Sequence, residues 1–389
     1  MSDFIPLSVP SIKGNEWQYV KDCLDTEWVS SAGKYVGKFE NDIRALNGSK
    51  YAIACVNGTA ALEIALKIIG VTENDEVIVP TLTFIASVNV VRYRHAEPVF
   101  MDCDDFYCLD VVKTIEFIKT QTRFKNGQSW NVTTGKRVAA LIPVHVFGNA
   151  VNLAELLELC RERNIAVVED AAESISTYYT ATGLKGRYTG TVGSIGCYSF
   201  NGNKIITTGG GGMILTDDEK LAIKARYLTT QAKDDEVRYV HDEIGYNYRL
   251  TNIQAALGVA QLERLKEFIV IKKNNYQHYQ ERIAAIAGLE LAAVPEYAAV
   301  NYWMYCLQID SAVYGRDREN LMAFLAERNI QTRPVWHLNH LQKPYRDCQN
   351  YRIENALRLY DITLNIPCST NLKEADVERV CEILKNGRK

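Results

Sequence analysis

A rhythm constrains this chain more than any other feature. Through the first half, short and solidly apolar runs alternate with amphipathic stretches. The run Tyr51–Val56 is apolar and ends at Asn57-Gly58, and Ala61, Leu62, Ala65, Leu66 and Ile69 then recur at helical spacing. The pattern repeats as strand 76–79, helix 84–94, strand 98–101, strand 139–144, helix 153–163 and strand 165–169. Strands that alternate with helices predict a mostly parallel sheet covered on both faces. Strands buried on both faces read as unbroken apolar runs, as these do.

The stretch Gln121–Arg137 interrupts the rhythm, and its Asn126-Gly127 and Thr134-Gly135 pairs predict a surface excursion such as a hairpin. From Thr251 a periodic helix is expected to run past Tyr276 and leave the first unit. The remainder (strand 303–310, helix 316–328, strand 363–366, helix 374–384) reads as a smaller α/β unit. A chain of 389 residues suits one large and one small domain. The boundary is expected near 255: residues 1–255 form the large domain, and 256–389 form the linker helix and small C-terminal domain. The N-terminal segment is free to pack on the smaller one.

A net charge of −3 and the lack of a basic stripe or polybasic block argue against nucleic acid or membrane partners. The ten cysteines are scattered, with no Cys-x-x-Cys pair, and read as reduced thiols. The opening residues lack the layout of a signal peptide, and no apolar run is long enough for a membrane helix. A cytoplasmic protein is expected. No Gly-x-Gly-x-x-Gly follows the first strand, which disfavours a nicotinamide-linked dehydrogenase.

Three features fall at predicted strand ends, where open α/β sheets bind ligands. Asn57-Gly58-Thr59-Ala60 sits at a strand-to-helix turn, where free amides and a hydroxyl suit a phosphate; the ordinary reading is a capped glycine turn. The strand Val167–Glu169 runs into Asp170, Ala171, Ala172 and Glu173. Its carboxylates are either a helix cap or an aspartate set against a protonated ring nitrogen. Lys204 lies between the apolar run Cys197–Phe200 and the glycines 209–212. A partly desolvated lysine there is a nucleophile, whereas the ordinary reading is a solvated charge beside a flexible loop. Together, in this order, the three suit pyridoxal phosphate, which needs a phosphate anchor, a pyridinium partner and a Schiff-base lysine.

On these motifs the chain resembles the DegT/DnrJ/StrS family of nucleotide-sugar aminotransferases. The likeness runs from Ile5-Pro6-Leu7 through Gly37–Glu40, Asn57–Leu62, Pro80–Phe84, Pro143–His145, Glu169–Ala172, Ser199–Lys204 and Gly245–Leu250 to Arg333-Pro334 and His337. The resemblance implies the fold-type I aminotransferase architecture and a homodimer with active sites at the subunit interface. It implies that Lys204 holds the cofactor, Asp170 pairs with the pyridine nitrogen and Phe84 stacks on the ring. Gly58, Thr59, Ala60 and Ser199 would bind the phosphate, with Asn247 reaching it from the partner subunit. Arg249 and His337 would face the substrate; an ordinary surface loop is the alternative for Asn247 and Arg249.

Two positions depart from the family pattern. Glu173 stands where many relatives carry glutamine or histidine beside the cofactor's phenolic oxygen, and Gly210 replaces a common glutamate. His337 and His340 lack further ligands, so no metal is expected. The residues around Lys204 and the 121–137 insertion are similar to the subgroup acting in routes to bacillosamine and legionaminic acid. That likeness implies a UDP-linked 2-acetamido-2,6-dideoxy-4-keto-hexose acceptor aminated at C4, with L-glutamate as donor. The alternatives are a GDP- or dTDP-linked keto sugar, or a non-catalytic regulatory homologue that binds the cofactor. Relatives that are sugar dehydratases carry histidine in place of the lysine, and Lys204 speaks against that activity.

Overall fold

The computed structural model describes residues 4–235 and 237–388. Its principal sheet has ten strands, and eight of them follow the spatial order 51–55, 212–216, 195–199, 166–170, 137–141, 75–80, 97–101, 350–351. From 195–199 onward every neighbouring pair along this path is parallel. The strand Gly212–Thr216 runs against both of its neighbours. Sequence periodicity does not distinguish its direction, because a strand covered on both faces is apolar throughout either way. The strands 166–170, 195–199 and 212–216 are buried almost end to end.

The 121–137 excursion is a hairpin, Thr122–Lys125 paired with Gln128–Asn131. Its turn residues Asn126 and Gly127 both have positive φ, 54° and 73°, the conformation that an Asn-Gly two-residue turn supplies. The hairpin joins the principal sheet through Trp130 and Arg137, and Asn131 Nδ2 donates to Glu76 Oε2 at 2.6 Å.

Several expected elements differ in their bounds, the strand expected at 139–144 among them, which is Arg137–Leu141. The helix from Thr251 is two helices, Asn252–Glu263 and Leu265–Ile283, because Arg264 leaves helical geometry at φ −106°, ψ 3°. A kink at one residue barely disturbs the apolar period, so the sequence reads as continuous. The expected strand 303–310 is shorter, Tyr305–Ile309, which leaves Trp303 and Met304 ahead of it.

A second core gathers Tyr276, Tyr279, Leu307, Leu321, Ile366 and Val380, among others. It lies against a four-stranded antiparallel sheet ordered 289–291, 305–309, 363–366, 333–334. Ile5 belongs to this second core and pairs with Ile330. Among the described residues no helix is long and apolar enough to cross a membrane.

Candidate active site

Three of the motifs singled out in the sequence meet at the carboxyl ends of strands 51–55, 166–170 and 195–199, with the antiparallel strand 212–216 between the first and the last. Helix Gly58–Ile68 starts directly after strand 51–55, and the Asn57 side chain caps it by accepting the Ala60 N–H at 2.8 Å. The N–H groups of Gly58 and Thr59 precede the first possible intrahelical bond, so that turn offers unused donors and the positive end of a helix dipole. Glycine is required at 58, because a Cβ there would lie 2.8 Å from Ser199 Cβ. It is required at 212 as well, where a Cβ would lie 2.4 Å from Asn57 O. These contacts draw the helix turn, Ser199 and the glycine run into one cradle.

Strand 166–170 ends in two carboxylates that serve different purposes. Glu169 accepts from the backbone N–H groups of Gly190, Val192 and Gly193 at 2.8, 2.7 and 2.7 Å, and lies 3.0 Å from His145 Nε2. His145 Nδ1 accepts the Val151 N–H at 3.1 Å, so Nε2 carries the proton and donates to Glu169. Glu169 therefore organises a loop. Asp170 points to the other face, accepting from Ser87 Oγ at 2.5 Å and Ala172 N at 3.0 Å. Both donors are neutral and Asp170 is buried, so its negative charge suits a cationic N–H brought to it.

A cavity of about 530 Å³ joins these groups. Gly58, Thr59, Phe84, Asp170, Glu173, Ser199 and Lys204 all line it. Ala60 lies just behind, buried in the first helical turn. Asn247, Arg249 and His337 do not line it. Asn247 is exposed and bridges Thr230 through its backbone. Arg249 turns inward to Glu40 at 2.9 Å, and His337 Nδ1 lies 3.1 Å from the Tyr360 hydroxyl. His340 Nδ1 instead meets Thr81 Oγ1 at 2.6 Å. Gly210 has room for a side chain, with nothing closer than 3.6 Å to an added Cβ, and its carbonyl accepts from Gln254 Nε2 at 2.9 Å.

Lys204 and Glu173 face each other within the cavity, Nζ to Oε1 at 3.5 Å. Glu173 Oε2 accepts the Phe147 N–H at 2.7 Å. Burial pushes the Glu173 carboxyl up to about 7, and the nearby lysine offsets only part of that. Phe147 adopts a left-handed backbone, φ 57°, that costs energy in a bulky residue. That conformation aims its N–H at Glu173 while its ring stacks on Trp336 with centroids 4.9 Å apart.

The sequence did not single out Thr83, Ser87, Trp303 and Trp336, which also line the cavity. Thr83 lies inside the quoted Pro80–Phe84 run and Ser87 three residues beyond it. Trp303 and Trp336 arrive from the distant C-terminal part, and nothing local marks them. Thr83 Oγ1 is buried with no hydrogen-bond partner in the described structure. Such a donor at a cavity wall fits a polar ligand. The capped helix turn, the uncompensated Asp170 and the half-buried Lys204 together fit a phosphorylated, pyridinium-bearing cofactor with an aldehyde.

Comparison with known proteins agrees with this geometry. The model of the DegT/DnrJ/EryC1/StrS aminotransferase family matches residues 10–385. GDP-perosamine synthase of Caulobacter vibrioides is 38% identical over 390 residues, covering 99% of each chain. The GDP-perosamine synthase of Escherichia coli O157:H7 is 38% identical and covers 97% of each. The crystal structure of the aminotransferase TlmJ from Streptoalloteichus hindustanus matches with a TM-score of 0.87 at 26% identity, covering 98% of each chain. GDP stands in the names of the two relatives. The expected UDP-linked acceptor, with its bacillosamine and legionaminic acid routes, draws no support from them.

Proposed function

The chain belongs to the DegT/DnrJ/EryC1/StrS aminotransferase family, and from that premise we propose that it aminates the ketone of a GDP-linked sugar with L-glutamate as amino donor. It is a sugar aminotransferase of fold-type I, and its cofactor is pyridoxal phosphate. The observation that carries the reading is the meeting of a helix N-terminus, Asp170 and Lys204 in one cavity.

When bound, the cofactor supplies an electron sink that allows a carbon–hydrogen bond beside nitrogen to be broken and remade. The chain's own groups supply the rest. The N–H groups of Gly58 and Thr59, with the Thr59 and Ser199 hydroxyls, hold the phosphate, and Ala60, its N–H taken by Asn57, closes the turn behind them. Asp170, oriented by Ser87 and the Ala172 N–H, keeps the ring nitrogen protonated. Phe84, at the cavity mouth, covers one face of the ring. Lys204 anchors the cofactor, and its freed Nζ takes a proton from the donor carbon and returns one to the product. Glu173 holds the phenolic edge.

Two copies of the chain complete the site in this reading. Asn247 and Arg249 stand outside the cavity of their own chain, in a segment whose Val237 and Ile244 are 84% and 80% exposed. A partner would cover those side chains and receive Asn247 at the phosphate and Arg249 near the substrate, with His337 on the acceptor side. We also take residues 1–255 as the cofactor-binding domain and 256–389 as linker helix and small domain.

The test is a comparison of kcat/KM for GDP-, UDP- and dTDP-linked 4-keto sugars with glutamate in excess. A preference for the GDP compound is expected. Preference for the UDP or dTDP compound would remove the proposed substrate and leave the aminotransferase standing.

A further inference from the structure

Lys204 Nζ lies 4.0 Å from the centroid of the Trp303 indole, with the Glu173 carboxyl at 3.5 Å. The same tryptophan is tied to the chain beside that lysine, because its Nε1–H donates to Asn203 O at 2.8 Å. Its backbone is held from two sides. Trp303 N donates to Asn301 Oδ1 at 3.0 Å, and Asn301 Nδ2 donates to Glu173 O at 2.8 Å and Ile175 O at 3.0 Å. One buried asparagine therefore fixes the spacing between Trp303 and Glu173. On the other side Trp303 O accepts from Lys272 Nζ at 3.1 Å, and the same ammonium donates to Cys368 O at 2.5 Å. Lys272 is 2% exposed, and its Nζ donates to these two carbonyl oxygens. A buried ammonium is costly, so its contacts must be retained by the fold.

We propose that Trp303 is the resting place of the Lys204 amine whenever that amine is not bonded to the cofactor. The indole face receives the ammonium, Asn301 keeps Glu173 opposite it, and the Asn203 contact stops the lysine loop from drifting. Trp303 is thus a positioning residue: it acts through Lys204 and leaves the reacting atoms to others. A lysine on a flexible stem must return to one carbon at each half of the reaction, and a fixed resting point shortens that search. The inference rests on Lys204 being the cofactor's anchor.

The experiment measures how fast Lys204 is methylated by formaldehyde and cyanoborohydride near neutral pH in the full-length chain freed of cofactor, read by peptide mass spectrometry. Trp303→Leu should speed labelling of Lys204 by roughly threefold to tenfold, the range that losing a cation–π contact of ordinary strength implies. Trp303→Phe keeps a ring face and should stay within about twofold of wild type. Replacing Trp303 with tetrafluorotryptophan keeps shape and N–H but drains the negative face, so it should match the leucine variant even if leucine disturbs folding. Unchanged labelling in the tetrafluorotryptophan protein would overturn the proposal. A failure of the underlying reading shows separately: Lys204→Ala would then keep an unaltered visible spectrum with cofactor bound.

Discussion

The strand-end rim and the segment from Thr230 to Arg249 differ in what completes them. Along the rim, groups of the same chain meet one another: Asn57 caps its helix, Ser87 meets Asp170, and Phe147 meets Glu173. Along the segment, Val237, Tyr239 and Ile244 stand open to solvent, and Arg249 is held at Glu40. Burying apolar side chains is favourable, and a surface that leaves several exposed together marks a place for a partner. The rim is built by one chain. The segment's exposed apolar side chains support the proposal that a second copy covers it.

That contrast predicts unequal losses. Lys204→Ala should abolish transamination, because no other group in the rim replaces its amine; turnover near the wild-type rate would break the account of the rim. Asp170→Asn keeps the shape and removes the charge. It should slow turnover by about a hundredfold to a thousandfold, the usual cost of losing one preorganised electrostatic partner. A rate within a factor of about three, measured with saturating cofactor, would show that the ring nitrogen is held elsewhere.

The segment calls for a different test. Lys204→Ala and Asn247→Asp protomers, each inactive alone, should recover about a quarter of wild-type activity when mixed equally, since half the dimers would be mixed and each would hold one intact site. Exchange of subunits without any rescue would mean that sites are complete within one chain, and the contrast between the two regions would fall.

The smallest expected effect concerns stability. The Glu173 carboxyl sits at about 7 in the folded chain, above its ordinary 4.5, so its burial opposes folding increasingly as pH rises through that window. Glu173→Gln should therefore stabilise the cofactor-free chain by about 1–3 kcal/mol near pH 8 and have little effect near pH 4. Denaturant midpoints at the two pH values decide it. An equal effect at both would mean that burial does not hold the proton on Glu173.

These differences also explain what could be read from residues alone. Gly58, Asp170 and Ser199 lie at or just past strand ends, with Lys204 in the turn that follows Ser199, and strand ends are legible because an apolar run stops at a polar or glycine residue. The sequence left open whether the 169–173 carboxylates cap a helix or serve a ligand. The alternation of side chains along the strand resolves it, sending Glu169 to the 190–193 loop and Asp170 into the cavity. Trp303 and Trp336 were not legible, because they reach the cavity only through the packing of the C-terminal part. The antiparallel direction of strand 212–216 and the kink at Arg264 are not legible for a related reason. Neither changes the apolar period on which such reading depends.

The most direct test of the central claim, that the strand-end cavity is the cofactor site with Lys204 as its anchor, is borohydride reduction of the cofactor-loaded protein followed by peptide mapping. The account predicts a cofactor-derived mass on the peptide containing Lys204 and loss of the visible absorbance. The added mass on any other lysine, or none at all with the cofactor still bound, would contradict it.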